Sequence, residues 1–507
     1  MSQGYVTDVA YARQFCPHLA PTLLRSVAAL EGFAPPPEDA FDYCEVGCGP
    51  GDTIATLAAA YPRARFVGID LNAEHVAFAR GLAVRGGLSN LRLVEGDFEA
   101  LGEEAALPKF DYVAAHGLLT WIAPAKRRAL VAFAARRLKP GGLLHVAYNT
   151  LPGWAALEPM RRILHDAAGT EGTTAERAQR ALDAARALAD RGALYFVTNP
   201  AARDMLDAMA RHGAAYVAHE YFHDTWNPMY VTDVAREMAA EGLAYVGQLP
   251  SYRNVPELAL PPKLAEAATH TGDRIALEQL VDFAANEFFR GDVYRAGGEG
   301  RSADAAAAYV DATPFGTLVD ADRLRREVKL PHHVLRLDGE IEAALLERLP
   351  LRAATARTLA EDPAFERFGA NRVRAALVRL LAAEQIAPMR ASAEGPATVY
   401  NHAILEQPLA EKSPVVLAAP AAGTGVQVSA LQAVCLRVLS WVEPAERAAW
   451  LRAYVERQPL RLQVGGAAVE DRSEQARVLA QEVEKFRAAR LPKLVELGVA
   501  PGQAAGP

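Results

Sequence analysis

Tyr43-Cys44-Glu45-Val46-Gly47-Cys48-Gly49-Pro50-Gly51-Asp52-Thr53 joins an apolar run, a glycine turn and the start of a helix. An apolar-periodic segment follows, and then Arg65-Phe66-Val67-Gly68-Ile69-Asp70-Leu71, a second apolar run ending in an acid. Strand, glycine loop, helix and acid-tipped strand spell a βαβ unit that holds an adenosine-like ligand. Gly47, Gly49 and Gly51 lack Cβ, so the backbone can turn sharply and lie against a ligand. The helix expected from Thr53 to Ala60 directs its positive N-terminus at the same place. The spacing is G-x-G-x-G, tighter than the G-x-G-x-x-G turn that seats a pyrophosphate. Glu45, two residues before the first glycine, puts negative charge where a cationic ligand fits better than a diphosphate. Asp70, ending the second strand, is a bidentate acceptor for two ribose hydroxyls.

The alternation continues. Leu91 to Phe98 reads as a third strand ending in Asp97, and Phe110 to Gly117 as a fourth. Ala125 to Leu138 reads as an amphipathic helix, Lys139-Pro140-Gly141-Gly142 as a turn, and Leu143 to Asn149 as a fifth strand. Strands alternating with helices predict an α/β fold, a parallel sheet with helices on both faces. Ligands of such sheets sit beyond the carboxyl ends of the strands. Gly47, Asp70, Asp97, His116 and Asn149 are therefore expected to line one crevice.

Bulk properties narrow the function classes. The 507 residues imply three or more domains. With 61 acids against 54 bases the formal net charge is −7, which argues against a general nucleic-acid binder. Cys16, Cys44, Cys48 and Cys435 show neither metal-ligand spacing nor a disulfide framework, and read as small apolar packing residues. No metal is expected. No apolar run approaches membrane-spanning length and no leader pattern opens the chain, so a cytoplasmic protein without membrane insertion is expected.

Four motifs together carry a resemblance: Glu45-x-Gly47-x-Gly49-x-Gly51, Gly68-Ile69-Asp70, Gly96-Asp97-Phe98 and Leu138-Lys139-Pro140-Gly141-Gly142. In this order they resemble class I S-adenosylmethionine-dependent methyltransferases over about residues 40 to 150. Phe110-Asp111-Tyr112, His116-Gly117, Trp121-Ile122 and Tyr148 to Trp154 resemble bacterial methyltransferases with an attached methyltransferase regulatory domain. Ala218-His219-Glu220-Tyr221, Asn227-Pro228 and Gly242 to Gly247 are similar to the core of that domain. The rickettsial outer-membrane-protein lysine methyltransferases are the best-known relatives of this group.

The resemblance implies a Rossmann-like methyltransferase sheet with helical accessory domains. An N-terminal arm (1–40) would fold over the cofactor, with Tyr5 and Tyr11 as candidates to close the crevice. A methyltransferase core (41–165) would precede a regulatory, substrate-gating domain (166–300) whose segment 214–250 completes the sheet. Beyond it, 301–416 reads as a helical, winged-helix-like unit and 427–507 as a C-terminal helical domain. Helices are expected from Thr174 to Arg191, Asn199 to Gly213 and Thr232 to Glu241, with Ala214 to Trp226 extended or irregular. Arg372, Arg374 and Arg379 fall on a helix expected from Ala370 to Ala383, and a structural or protein-contact role is expected for them. Ala418 to Val426 reads as a linker.

The implied cofactor is S-adenosyl-L-methionine, held by Tyr5, Glu45, Gly47, Gly49, Gly51, Asp70, Leu71, Asp97, Phe98 and His116. Asp97 and Phe98 would take the adenine, and His116 would stand beside the methyl group. His116, Trp121, Asn149 and Trp154 are the candidate catalytic residues. Tyr148, Tyr221 and Trp226, with His219 and Glu220, extend an aromatic lining that suits an amine cation. The Asp/Asn-Pro-Pro-Tyr motif of DNA amino-methylating enzymes is missing after the fourth strand, and no cytosine C5 cysteine motif appears. A protein lysine is thus the leading acceptor. A small metabolite, or a cofactor-sensing protein-binding module without turnover, are the alternatives.

Overall fold

The structure, a computed structural model, describes residues 13–100, 107–223, 225–392, 395, 397–407, 414–457, 463–464 and 467–502. Tyr5 and Tyr11 lie outside these residues. In the described chain β1 (Asp42–Val46), β2 (Arg65–Asp70), β3 (Leu91–Glu95), β4 (Phe110–Ala115), β5 (Leu138–Asn149), β6 (Leu243–Leu249) and β7 (Phe289–Ala296) form one sheet. Its order is β3-β2-β1-β4-β5-β7-β6. The first five strands run parallel, and β7 runs antiparallel between β5 and β6. The sheet is therefore mixed, two strands wider than the expected parallel core.

Alternation along the strands splits the core. Tyr43, Phe66 and Tyr112 point to one face, with α1 (Pro21–Leu30), α2 (Asp52–Ala60) and α3 (Ala73–Arg85). Cys44, Val67, Ile69 and Val113 point to the other, under the helices Pro124–Arg137 and Val231–Ala240. Gly68 permits the first packing, since a Cβ there would stand 2.8 Å from Leu93 and 3.0 Å from the Cys48 sulfur. Gly51 caps α2 at φ +83°, and its Cβ would meet Ala79 of α3 at 2.7 Å.

Three local readings are corrected. Lys139 to Gly142 belongs to the start of β5, where a register shift opposite Phe110 to Tyr112 absorbs the glycines. Ala214–Tyr221 is a helix, not an extended segment. Val217, Ala218 and Tyr221 bury its apolar stripe in a cluster with Trp154 and Trp226. The stretch Ala418 to Val426 is no linker: Val415–Ala419 and Thr424–Val428 pair as an antiparallel hairpin. Its Leu417 and Val426 are buried in the same cluster as Ile54 and Leu57 of α2.

Polar contacts fasten the C-terminal half to the parallel-sheet half and also tie it together internally. Arg390 pairs with Asp39 at 2.5 Å. It donates to the Ala60 and Pro420 carbonyls at 2.7 and 3.1 Å and lies 4.5 Å over the Tyr61 ring. Arg374 pairs with Asp311 at 2.7 Å, Arg379 donates to the Arg336 carbonyl at 3.0 Å, and Arg372 lies over Phe368. Among the described residues no helix is long and apolar enough to cross a membrane.

One polar cluster is sealed inside the sheet. Arg290 on β7 is fully buried and contacts Asp292 at 2.8 Å, Asp282 at 2.5 Å, Glu278 at 2.8 Å and the Tyr245 hydroxyl at 3.0 Å. Tyr148 of β5 donates to Asp292 at 2.6 Å. The cluster ties the two added strands and the helix Arg274–Ala285 to the parallel core.

Candidate functional site

A cleft of about 320 Å³ opens at the carboxyl ends of β1, β2 and β4. The glycine loop forms its floor. Gly47 and Gly49 have φ of +74° and +54°, and a Cβ at Gly49 would have nothing within 4 Å, so this backbone faces open space. Asp70 holds the loop in place. Its Oδ2 accepts from the Gly49 amide at 2.8 Å, and its Oδ1 accepts from the Asn72 amide at 2.8 Å. His75 Nδ1 approaches Oδ1 at 3.3 Å.

Glu45 lines the same cleft and is 5% exposed, yet among the described residues no hydrogen bond reaches its Oε2. Burial, with Asp70 and Asp52 nearby, pushes its carboxyl up to about 8. An unpartnered buried carboxyl beside an open glycine cradle fits a ligand that brings its own cation. S-adenosylmethionine brings two, an ammonium and a sulfonium. Asp52 lines the cleft too, but Arg13 neutralises it at 2.6 Å. The arm is seated there further by the Cys16 amide, which donates to Thr53 Oγ1 at 3.0 Å, so that Gln14 and Cys16 border the cleft.

The proton balance at Glu45 is measurable. A carboxyl near 8 is mostly protonated at neutral pH, and a cation bound against it restores the anion and releases the proton. Cofactor affinity is then expected to rise from pH 6 to 8, by at most about tenfold per unit. Calorimetric heats should differ between buffers of unlike ionisation enthalpy, and Glu45→Gln should abolish most of that difference. Equal heats in both buffers would refute the assignment.

Of the residues expected at the cofactor, Glu45, Gly47, Gly49, Asp70, Leu71, Phe98 and His116 line the cleft. Gly51 stands behind the loop as a packing glycine. Asp97 is outside the lining and pairs at 2.7 Å with Lys126, which does line it. His116 stacks on the fully buried His145 with centroids 6.0 Å apart, and burial pulls its imidazole down to about 4. It therefore stays neutral at physiological pH.

The acceptor candidates divide. Trp121, His116, His219 and Glu220 line the cleft. Asn149 and Trp154 do not. The Asn149 backbone amide donates to Thr120 Oγ1 and its carbonyl accepts from the Met229 amide, and the residue pairs with Phe289 at the end of β5. Trp154 donates to the Phe288 carbonyl at 2.7 Å and packs edge-on against Trp226, as a core anchor. Tyr148, Tyr221 and Trp226 are buried away from the lining.

Residues that sequence reasoning passed over also border the cleft, among them Lys126, His75 and His223. Lys126 is an ordinary first-turn lysine until the fold sets it against Asp97. His223 follows the helix Ala214–Tyr221, and its ring lies 5.1 Å from that of Trp121. Arg161 donates to the His223 carbonyl and His165 to the Tyr221 carbonyl, fixing the end of this helix over the cleft.

Comparisons with known proteins agree with this geometry. Residues 44–142 match a family model described as a methyltransferase domain, and 213–295 one described as a predicted methyltransferase regulatory domain. An uncharacterized protein of Synechocystis sp. is 28% identical over 98% of this chain and 99% of its own length. An uncharacterized protein of Rickettsia prowazekii is 26% identical over 42% of this chain and 85% of its own. PKMT2 from Rickettsia typhi, solved with AdoHcy, superposes with a TM-score of 0.75 at 17% identity, over 97% of this chain and 100% of that one. The chain carries a methyltransferase domain of Rossmann-like fold with a regulatory domain behind it, and its cofactor is S-adenosylmethionine.

Proposed function

We propose that this S-adenosylmethionine-dependent methyltransferase acts on an amine, and that the amine is a protein lysine. The observation that carries the reading is the charge of the cleft. Among the described residues Asp70 and Glu220 line it with Glu45, which a bound cation turns into an anion, and with Asp52, which Arg13 neutralises; the lining lysine, Lys126, is paired with Asp97, and no arginine lines the cleft. An acidic wall favours a cationic acceptor. The trans-aconitate 2-methyltransferase of Azoarcus sp., 31% identical over 22% of this chain, acts on a carboxylate, and such an acceptor needs cationic partners.

Bound in the cleft, S-adenosylmethionine supplies a methyl group already activated on sulfur. The chain's residues hold, orient and exclude water. Gly47 and Gly49 admit the ligand, Asp70 fixes the loop and offers its remaining lone pairs to ribose hydroxyls, and Phe98 gives an apolar face for the base. Positioning of two reactants in line can supply several kcal/mol. Trp121, on the acceptor side, offers an aromatic face worth about 0.5–2 kcal/mol to an ammonium. A lysine must lose its proton first, at about 1.36 kcal/mol per unit between about 10.4 and the working pH. Desolvation against the Trp121 face would reduce that cost by disfavouring the cation.

The test is methyl transfer from radiolabelled cofactor to a protein extract. Label stable to mild base in a protein band is expected. Base-labile label indicates a carboxyl ester, and label only in small molecules indicates a metabolite acceptor; either rejects the lysine reading. Absence of any demethylated cofactor product would favour the non-turnover sensor.

A further inference from the structure

The helix Ala214–Tyr221 belongs to the regulatory domain, yet it lends side chains to the cofactor cleft. Glu220 is one of them. Its partly buried carboxyl engages no cation, hydrogen bond or ion pair among the described residues. The helix end is held rigidly by Arg161 and His165 through the His223 and Tyr221 carbonyls. On the core side the cleft presents Glu45, Asp70 and neutral His116; on the regulatory side it presents Glu220, His219, His223 and, across from them, Trp121.

We propose that Glu220 is the acceptor-side carboxylate: it binds the incoming lysine ammonium and takes its proton, so that the regulatory domain completes the active site rather than merely covering it. This rests on the amine reading above. The proton passes from the ammonium nitrogen to a Glu220 carboxylate oxygen. The freed nitrogen lone pair then forms the N–C bond as the methyl group's bond to sulfur breaks, the electron pair staying on sulfur. No further reactant is needed. Glu45, on β1 just before the glycine loop, would instead be taken by a cation of the bound cofactor.

The electrostatics are consistent. Burial pushes the Glu220 carboxyl up to about 7, in the range that suits a group exchanging protons near neutral pH. The titratable and charged groups facing it are Tyr216 and Tyr221 on its own helix, His219 and His223 beside it, and His116, Lys126, Glu45, Asp52, Asp70 and His75 across the cleft. Lys126 pairs with Asp97 and burial keeps His116 neutral, so neither supplies Glu220 with a cation.

The experiment compares wild type, Glu220→Gln and Glu220→Asp as full-length proteins, with a heat-denatured bacterial protein extract as acceptor. Methyl-lysine is counted after hydrolysis from pH 6.5 to 9.5, and cofactor affinity is measured by calorimetry. Glu220→Gln is expected to keep cofactor affinity within about twofold while losing about 10²-fold in rate at neutral pH. Its rate should climb with pH, as the acceptor deprotonates in solution, and Glu220→Asp should recover part of the loss. If Glu220→Gln keeps the wild-type rate and pH profile, or loses cofactor affinity in step with rate, the assignment falls while the amine reading stands. If wild type itself produces no methyl-lysine, both fall.

Discussion

Replacing Arg290 by methionine is expected to destabilise the protein by about 3–5 kcal/mol, the cost of leaving buried charges without their partner. The Arg290 guanidinium is fully buried and faces Asp292, Asp282 and Glu278, all within 2.8 Å. These acids already outnumber their cation. Burial pushes Asp282 up to about 7 and raises Asp292; Arg290 pulls both back, and the Tyr148 hydroxyl helps at Asp292. Arg274 helps Glu278 at 2.9 Å but does not reach the two aspartates. Without Arg290 the aspartates must hold protons or remain buried anions, and the seam joining β5, β7 and β6 loosens. The check is chemical denaturation followed by far-ultraviolet circular dichroism. Adding Asp282→Asn and Asp292→Asn to Arg290→Met should return part of the loss, since a neutral cluster has no charge to strand. A shift under about 1 kcal/mol for the single variant would show that the cluster contributes little.

Asp70→Ala is expected to weaken cofactor binding by about 3 kcal/mol, roughly 150-fold. The carboxylate does two things at once. It fixes the open glycine loop through the Gly49 amide and the start of α3 through the Asn72 amide, each at 2.8 Å. Its place in the cleft lining also fits the proposed contact with ribose hydroxyls. The alanine variant removes both, whereas Asp70→Asn keeps one acceptor oxygen and should fall between alanine and wild type. Calorimetric titration with S-adenosylmethionine measures both. Wild-type affinity in Asp70→Ala would overturn the ribose assignment.

Those two sites differ in how plainly the sequence announces them. Asp70 stands at the end of a βαβ unit whose apolar runs, glycines and acid lie close together in the chain, and local pattern suffices to place it. The same holds for Glu45, Gly47 and Gly49, and for the five parallel strands. Arg290 and Asp292 sit in Phe-Arg-Gly-Asp-Val-Tyr-Arg-Ala, where two arginines and an aspartate interrupt the apolar pattern. It becomes an inner strand because Glu278 and Asp282 of the preceding helix fold back onto it and Tyr148 arrives from β5, 144 residues away in sequence, a pairing that no local window contains. The hairpin at 415–428 is hidden for another reason: its alanines and glycines look flexible, but small side chains are what allow it to pack closely on α2.

The cleft shows the same division. Its floor is legible because it is made by consecutive strand ends. Its far wall comes from Glu220, on the helix Ala214–Tyr221, and from His223 just beyond it, about a hundred residues past β4; Glu220 is legible through the family resemblance, His223 is not. Trp154 illustrates the opposite hazard. A tryptophan in a loop after a strand invites a functional reading, but its indole N–H meets the Phe288 carbonyl and its ring meets Trp226, so its amphipathic shape is satisfied inside the core.

The most direct test of the account is mass spectrometry of proteins incubated with the purified enzyme and S-adenosylmethionine carrying a deuterated methyl group. The account predicts deuteromethyl groups on lysine side-chain nitrogens, absent from a reaction with Glu45→Gln run at low cofactor concentration. Deuteromethyl groups found only on carboxyl oxygens or on small molecules, with cofactor turned over and lysines untouched, would contradict it.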